Sequence, residues 1–250
     1  MIFTLFIAIT ATINANRETL VGNPYPSAID ALEFIKDNGP DVATNTAPLI
    51  SGTLYFWNHW GGGSHTSQDY EGGYATYNFS GAVAAAYKGN NFTSLDTDGE
   101  PTKKPKRYIP VGQAFFVNGH NAGSINFNNG QRVFKKEGDP SVFMRSANNT
   151  TSNNNTATET EDTRMKFRIG FNSVNTIRRQ LLLTIDEHTT TGIDWAYDGE
   201  INEEQIDDMF WLINDEAYII QASNEAETSS SYPIGIKTNT NGINTIMIDA

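Results

Sequence analysis

The sequence contains no cysteine and has few basic side chains. Without cysteine, its 250 residues can form neither a disulfide bond nor a thiol-based zinc site. Its 17 Lys and Arg residues stand against 29 Asp and Glu residues, which gives a formal net charge of −12. Proteins that bind nucleic-acid phosphates need clustered basic side chains, so we expect no nucleic-acid partner.

Long apolar runs are also missing. The apolar run Ile2–Ile9 is too short to span a bilayer, which requires about 20 apolar residues, so we expect no membrane insertion. Two interpretations of this run stay open. It is either the core of a signal peptide ending near Ala15, or the start of a strand, because Ile9–Asn14 alternates between apolar and polar residues.

What the chain does contain favours strands. Asn, Thr, Ser, Gly and aromatic residues are abundant, and short apolar segments are separated by turn residues. We therefore predict an all-β fold, an antiparallel β-sandwich of jelly-roll type, as one sandwich or two. One short helix is expected near residues 27–37, with Ser27 as its N-cap. Asn129-Gly130 predicts a hairpin that joins Ser124–Asn128 to Gln131–Phe134.

An Asn/Thr-rich segment divides the chain. Residues 147–161 (ANNTTSNNNTATETE) lack large apolar side chains, so this segment is expected to be a linker or mobile loop. The predicted organisation is an N-terminal β domain over 1–146 with the short helix, and a C-terminal β-sandwich domain over 162–250. Because the sequence stops directly after a predicted strand, we expect it to be part of a longer protein.

The stretch Leu54–Ser80 concentrates aromatic side chains, histidines and glycines. Tryptophan and tyrosine rings stack on the C–H faces of sugars, and neighbouring polar groups fix the sugar's orientation. Alternating aromatic residues in a strand are also typical of a buried core, so both interpretations remain open. The candidate ligand-binding residues are Trp57, His59, Trp60, His65, Asp69, Tyr70 and Tyr74.

Several stretches match a known pattern: LVGNPYPSAID (20–30), GTLYFWNHW (52–60), GGYATYN (72–78), YIPVGQAFFV (108–117), RRQLLL (178–183) and IDWAYDGE (193–200). They resemble large secreted surface and adhesin-like proteins of Bacteroidetes, in which they lie upstream of a type IX secretion sorting domain. The resemblance covers the chain from about residue 20 to 250. It implies export to the cell surface, a β-rich fold and an adhesive or polysaccharide-facing role, and it brings no catalytic residues with it.

Acidic residues suggest a calcium site. No Lys or Arg occurs between Gln180 and Ser231, and Asp194, Asp198 and Glu200 lie in the turn-like segment DWAYDGE. Crowded oxygen ligands in loops suit Ca²⁺, so structural calcium is one hypothesis for these three residues. The alternative is a solvated acidic face.

Other chemistries are less well supported. A zinc site at His59, His65 and Asp69 would have no established spacing. The basic run Lys103–Arg107 lies in a Pro-containing loop on an acidic protein and is interpreted as solvated. A serine hydrolase is not indicated, because no G-x-S-x-G motif is present.

Three functions remain open. The favoured one is a non-catalytic module of a secreted protein that mediates adhesion or binds a surface polysaccharide through the aromatic stretch. The second is a polysaccharide-degrading enzyme with paired carboxylates, and the third is a spacer domain without a ligand.

Overall fold

The computed structural model describes residues 9–40, 48–61, 71–88, 104–135 and 162–249, with the backbone alone for residues 59–61, 71 and 88. Strands dominate these ranges, and the α-helix over Ala31–Asn38 is the one found among them. The predicted all-β class is therefore confirmed. No helix in the described ranges is long and apolar enough to cross a membrane.

The part of the chain before residue 136 forms three sheets. Its elements are β1 (Ile9–Ile13), β2 (Arg17–Gly22), β3 (Ala28–Asp30), α1 (Ala31–Asn38), β4 (Ile50–Gly61), β5 (Glu71–Asn78), β6 (Gly81–Val83), β7 (Tyr87–Lys88), β8 (Tyr108–Ile109), β9 (Ala114–Gly119), β10 (Gly123–Phe127) and β11 (Arg132–Val133). A five-stranded sheet has the order β2-β9-β4-β5-β6. Strands β11-β3-β8 form a second sheet, and β1 pairs with β10 in a third.

The part from residue 162 onward builds an eight-stranded sheet. Its strands are β12 (Lys166–Asn172), β13 (Ile177–Ile185), β14 (Gly199–Glu200), β15 (Asp208–Ile213), β16 (Glu216–Ser223), β17 (Ile234–Lys237) and β18 (Thr245–Asp249), and β7 joins them at β13. One pair departs from the predicted antiparallel arrangement. Strands β13 and β16 run parallel, with Leu182 opposite Ile220, and the chain between them supplies the crossover that parallel pairing needs.

The helix begins later than its sequence predicts. Ser27 was expected to be the N-cap, but Asp30 occupies that position and its carboxylate accepts a 3.0 Å hydrogen bond from the Leu32 amide. The reason is that Ala28–Asp30 is held as strand β3 between β11 and β8. Arg107 also forms a 2.8 Å ion pair with Asp30. The predicted cap at Ser27 was therefore wrong.

The predicted hairpin around Asn129-Gly130 was also wrong. Residues 129–131 form a 3-10 turn, closed by a capping box between Asn128 and Gln131. The flanking strands then separate, since β10 pairs with β1 and β11 pairs with β3. Long-range pairing therefore selected other partners for both strands.

Two apolar cores stabilise the structure. In the first, α1 covers one face of the five-stranded sheet, and the Phe34 ring lies 5.2 Å from that of Phe115 and 5.1 Å from that of Phe127. The second core belongs to the eight-stranded sheet and centres on buried residues such as Trp211, whose indole N–H donates to the Leu182 carbonyl over 3.0 Å. Each of the two cores is thus one contiguous cluster of buried apolar side chains.

The two parts of the chain pack against each other. The predicted boundary at residues 147–161 lies outside the described residues, so the domain division stays a prediction. On either side of it, the Asn78 side chain donates to the Tyr197 carbonyl over 2.9 Å, and the Thr53 hydroxyl donates to the Asp198 carbonyl over 3.1 Å. The segment around residues 194–200 therefore covers the outer face of the five-stranded sheet, opposite the helix.

Candidate functional site

Strand β4 presents its side chains alternately to the two faces of the five-stranded sheet. Asn58 points to the helix side and is 5% exposed. Tyr55 and Trp57 share the outer face but differ in environment. Tyr55 is fully buried, and its hydroxyl donates a 3.2 Å hydrogen bond to the Glu200 carbonyl, whereas Trp57 is 42% exposed. The cover supplied by residues 194–200 therefore ends between these two positions.

Beyond that cover, apolar side chains from four adjacent strands meet on the outer face. The Trp57 ring lies 5.1 Å from the Tyr74 ring at an interplanar angle of 68°, and Tyr74 lies 5.5 Å from Phe116 at 86°. Leu20 stands opposite Phe116 in the ladder and is 57% exposed. Such edge-to-face contacts are favourable, so the rings hold one another in place. We call Leu20, Trp57, Tyr74 and Phe116 the aromatic platform.

A glycine fixes the orientation of the indole. Gly72 on β5 lies opposite His59, two residue pairs along the ladder from the Trp57–Tyr74 pair. The Trp57 ring packs directly against the backbone of Gly72, where a β-carbon would collide with the six-membered ring of the indole. Glycine in a strand often marks such a close approach, and here it seats the exposed tryptophan against the sheet.

Two carboxylates border the platform. Glu203 accepts a hydrogen bond from the Tyr74 backbone amide, and burial raises the pKa of Glu203. Burial raises the pKa of Tyr74 as well, and the charges of Glu18 and Glu203 add to that rise. The electrostatic potential at the rings is therefore made more negative by both neighbours.

A buried ion pair positions the backbone that carries Glu203. Arg179 is 2% exposed, and its guanidinium donates to both carboxylate oxygens of Asp208, over 2.7 and 2.8 Å. The same guanidinium donates to the Glu203 carbonyl over 2.9 Å. The charged side of the platform is thus anchored to the second core.

Sequence reasoning found part of this surface. Trp57 and Tyr74 are brought together as predicted candidates. His59 and Trp60 continue β4, but their side chains are not described, and His65, Asp69 and Tyr70 lie outside the described residues. The platform members that were missed are Leu20 and Phe116, with the bordering Glu18 and Glu203.

The sequence does contain a pattern that could have identified Phe116 as a member of the platform. Phe115 and Phe116 are consecutive in a strand, so they must point to opposite faces, and both faces of that strand must offer an apolar environment. Phe115 is buried under the helix, and Phe116 is half-buried in the platform. No comparable local signal marks Glu203, which reaches the platform through long-range packing.

Comparison with known families matches the chain over almost its full length. A family described as a domain of unknown function (DUF8693) matches residues 4–250. The chain belongs to this family. No curated protein and no solved structure matches it.

In addition to the aromatic platform, this DUF8693 domain has a narrow cleft with acidic residues in its lining, between the two parts of the chain. It is lined by Ser51, Thr53, Ile193, Asp194, Trp195, Asp198, Glu200 and Tyr218. Asp198 is 5% exposed and accepts backbone hydrogen bonds from Ala222 over 2.7 Å and from Asp194 over 2.6 Å. Burial raises the pKa of Asp198 to about 7 in spite of these donors. The Ser51 hydroxyl is buried there without a hydrogen-bond partner.

The three predicted calcium ligands all line this cleft, but protein donors already engage them. Asp198 accepts two backbone amides, and Asp194 accepts both the amide and the hydroxyl of Thr190. The Glu200 carboxylate accepts a hydrogen bond from the Asn118 side chain. Within the described ranges, no three His, Cys, Asp or Glu side chains are arranged to hold a metal ion. The calcium hypothesis stays a prediction without support from the geometry.

The predicted basic run is placed apart from the platform. Arg107 pairs with Asp30 at the start of the helix. Burial lowers the pKa of Lys104, and the nearby Arg168 lowers it further, while Asp249 opposes that change. Both residues therefore belong to local contacts that involve α1 or the eight-stranded sheet.

Proposed function

We propose that this domain is a non-catalytic glycan-binding module of a secreted or cell-surface protein, and that the aromatic platform is its binding surface. The observation that carries the proposal is Trp57, which is 42% exposed although it lies between a close-packed glycine and a second aromatic ring. An indole fixed in this way offers a rigid apolar surface to a ligand at low entropic cost.

The chemistry of the platform suits a sugar. Aromatic side chains that are held rigid and partly exposed stack on the C–H surface of a pyranose, and bordering polar groups bind its hydroxyls. Leu20 extends the apolar area toward β2, and the Glu18 and Glu203 carboxylates lie close enough to raise the pKa of Tyr74. The cell-surface location rests on the sequence resemblance to secreted surface proteins.

A glycan-degrading enzyme is the rival proposal. A glycosidase needs two carboxylates on opposite sides of the scissile bond, about 5–10 Å apart. Glu18 and Glu203 both act on Tyr74, and the raised pKa of Glu203 is what a general acid requires. Among the described residues, however, the platform is the outer face of a sheet and not a cleft, with Leu20 57% and Trp57 42% exposed. We therefore favour binding without cleavage.

A glycan array tests the proposal. We expect the wild type to bind at least one glycan class, and Trp57→Ala to lose that binding while it still folds and unfolds in one cooperative thermal transition. Phe167→Ala is the matched control, because Phe167 is 46% exposed on the eight-stranded sheet, away from the platform. The proposal is contradicted if the wild type binds nothing, or if both variants retain binding equally.

Two further readouts separate the rivals. Release of new reducing ends from a bound glycan, abolished by Glu203→Gln, would show an enzyme instead of a binding module. Size-exclusion chromatography with light scattering tests whether the platform is a self-association surface. A wild-type dimer that becomes monomeric in Trp57→Ala, with no glycan bound by either, would refute the glycan proposal.

A further inference from the structure

We propose that the aromatic platform takes uncharged glycans and discriminates against glycans that carry uronate or sulfate groups. This inference rests on the proposed function and names its substrate class. The evidence is the charge around the rings, which the aromatic chemistry alone does not determine, because any pyranose can offer a C–H face for stacking.

Carboxylates approach the platform from two directions. Glu18 lies on β2, two residues before Leu20 and on the same face of the sheet, and its side chain is exposed. Glu203 comes from the second part of the chain and accepts a hydrogen bond from the Tyr74 amide at the edge of β5. The charged groups found to act on the Tyr74 phenol are these two carboxylates. A ligand on the rings is therefore placed between two negative charges.

Two arginines of the second part of the chain, Arg179 and Arg164, form ion pairs with carboxylates outside the platform. Arg179, which donates a hydrogen bond to the Glu203 carbonyl, is 2% exposed, and its guanidinium pairs with the Asp208 carboxylate. Arg164 pairs with Asp162 and Asp186, in each case over 2.6 Å. Among the described residues, Arg164 and Arg179 are therefore already paired with carboxylates and do not compensate the charge of an anionic sugar on the platform. Recognition of carboxylate or sulfate groups normally uses available Arg or Lys donors.

The same carboxylates favour a neutral sugar. An ionised carboxylate only accepts hydrogen bonds, and sugar hydroxyls are donors, so each of the two groups can bind a hydroxyl at the rim of the stacked ring. Replacing such a hydroxyl with a sulfate would turn an attractive contact into a repulsive one at short range. The net charge of −12 acts in the same direction at longer range.

The test is an array that carries both classes, read in the presence of EDTA so that no divalent cation bridges like charges. Uncharged probes are β-glucan, mannan, xylan and arabinogalactan oligosaccharides, and anionic probes are polygalacturonate, alginate, carrageenan and heparin fragments. We expect the Trp57-dependent hits to be uncharged, and chemical sulfation of the strongest hit to weaken binding at least tenfold. Hits among the anionic probes that disappear in Trp57→Ala would overturn this inference and leave the proposed function standing. An array without any hit would overturn both.

Reversing the charge of Glu18 tests whether the discrimination against anionic glycans arises at the platform. Glu18→Lys is expected to increase binding to carrageenan and heparin fragments at least threefold at low salt. Glu227→Lys, at an exposed position remote in sequence from the platform strands, changes the net charge equally and serves as the control. Stronger binding of the anionic fragments by Glu18→Lys but not by Glu227→Lys supports a local electrostatic effect of Glu18 at the aromatic rings. Equal gains in both variants would show that net charge, not the platform, sets the preference.

Discussion

Tyr55 and Trp57 point to the same face of one strand, two residues apart, yet Tyr55 is fully buried and Trp57 is 42% exposed. The difference comes from the segment around residues 194–200, whose Glu200 carbonyl accepts the Tyr55 hydroxyl and which does not extend over Trp57. On this face of β4, Tyr55 therefore contributes to the buried core, whereas Trp57 contributes to an exposed surface. Trp57 is the residue on which the proposed function depends.

Gly72 should control the platform without belonging to its contact surface. Gly72→Ala places a methyl group where the Trp57 indole packs, so the ring must leave its present position against Gly72 and Tyr74. We expect glycan binding to fall about as far as in Trp57→Ala, with a stability loss of roughly 1–3 kcal/mol from overpacking. Binding and urea denaturation together measure both effects.

The control for this variant is Gly192→Ala, because a β-carbon at Gly192 would meet only the Thr190 hydroxyl at 3.6 Å, an ordinary contact. It should bind like the wild type. Full binding by Gly72→Ala would show that the seating of the indole does not matter, and would weaken the account of a rigid platform.

The buried Arg179–Asp208 pair should be worth far more than an exposed pair. Arg179→Met leaves the Asp208 carboxylate buried without its guanidinium partner, which typically costs about 3–5 kcal/mol. Lys36→Ala breaks the exposed Lys36–Glu33 pair and should cost less than about 0.5 kcal/mol. The urea unfolding free energies of both variants test this, and similar losses in the two would contradict it.

Asp198 should make stability fall as the pH rises. Its folded-state pKa of about 7 lies above the value near 3.9 expected for the unfolded chain. Between these two values the folded protein holds a proton that the unfolded chain has lost. This residue's contribution to stability is therefore complete below pH 4 and declines toward pH 7, by at most about 1.4 kcal/mol per pH unit.

Asp198→Asn isolates that contribution, because asparagine does not titrate. We expect the wild-type unfolding free energy minus that of the variant to decrease between pH 4 and pH 7, whatever the absolute stability of the variant. Urea midpoints at four or five pH values suffice. A difference that stays constant, or that increases with pH, would show that Asp198 is ionised in the folded protein throughout this range.

Calcium should leave thermal stability unchanged. The Asp194 and Asp198 carboxylates already accept protein hydrogen bonds, so an ion would have to displace donors to reach them. We expect the melting temperature to agree within about 1 °C in calcium and in EDTA. A clear increase with calcium that disappears in Asp194→Asn would instead establish the ion site predicted from the sequence, because a ligand that binds the folded state must stabilise it.

The fold was predictable to the extent that it depends on local patterns. Short apolar segments between turn residues, such as Arg178–Asp186, identified the strands, and the apolar spacing of Ile29, Leu32 and Ile35 identified the helix. Prediction failed where distant partners decide. Ala28–Asp30 is strand because β8 and β11 pair with it, and Asn129-Gly130 does not close a hairpin because β10 and β11 belong to different sheets.

The candidate site was predictable in the same limited way. Residue type and spacing selected Trp57 and Tyr74, since stacking surfaces require such side chains. Whether Trp57 is buried or exposed depends on how far the segment around residues 194–200 extends over the sheet. The hydrogen bond at the limit of this segment joins Tyr55 to Glu200, which are 145 positions apart in the sequence. The neighbouring Glu203 reaches Tyr74 by packing of a distant segment, which no local pattern encodes.

The most direct test of the account is a calorimetric titration of the strongest array hit into the wild type, Trp57→Ala and Phe167→Ala. We predict that Trp57→Ala weakens binding at least tenfold, which is about 1.4 kcal/mol or more, and that Phe167→Ala binds as the wild type does. Wild-type affinity in Trp57→Ala, with its fold confirmed by circular dichroism and a cooperative thermal transition, would contradict the assignment of the aromatic platform as the binding surface.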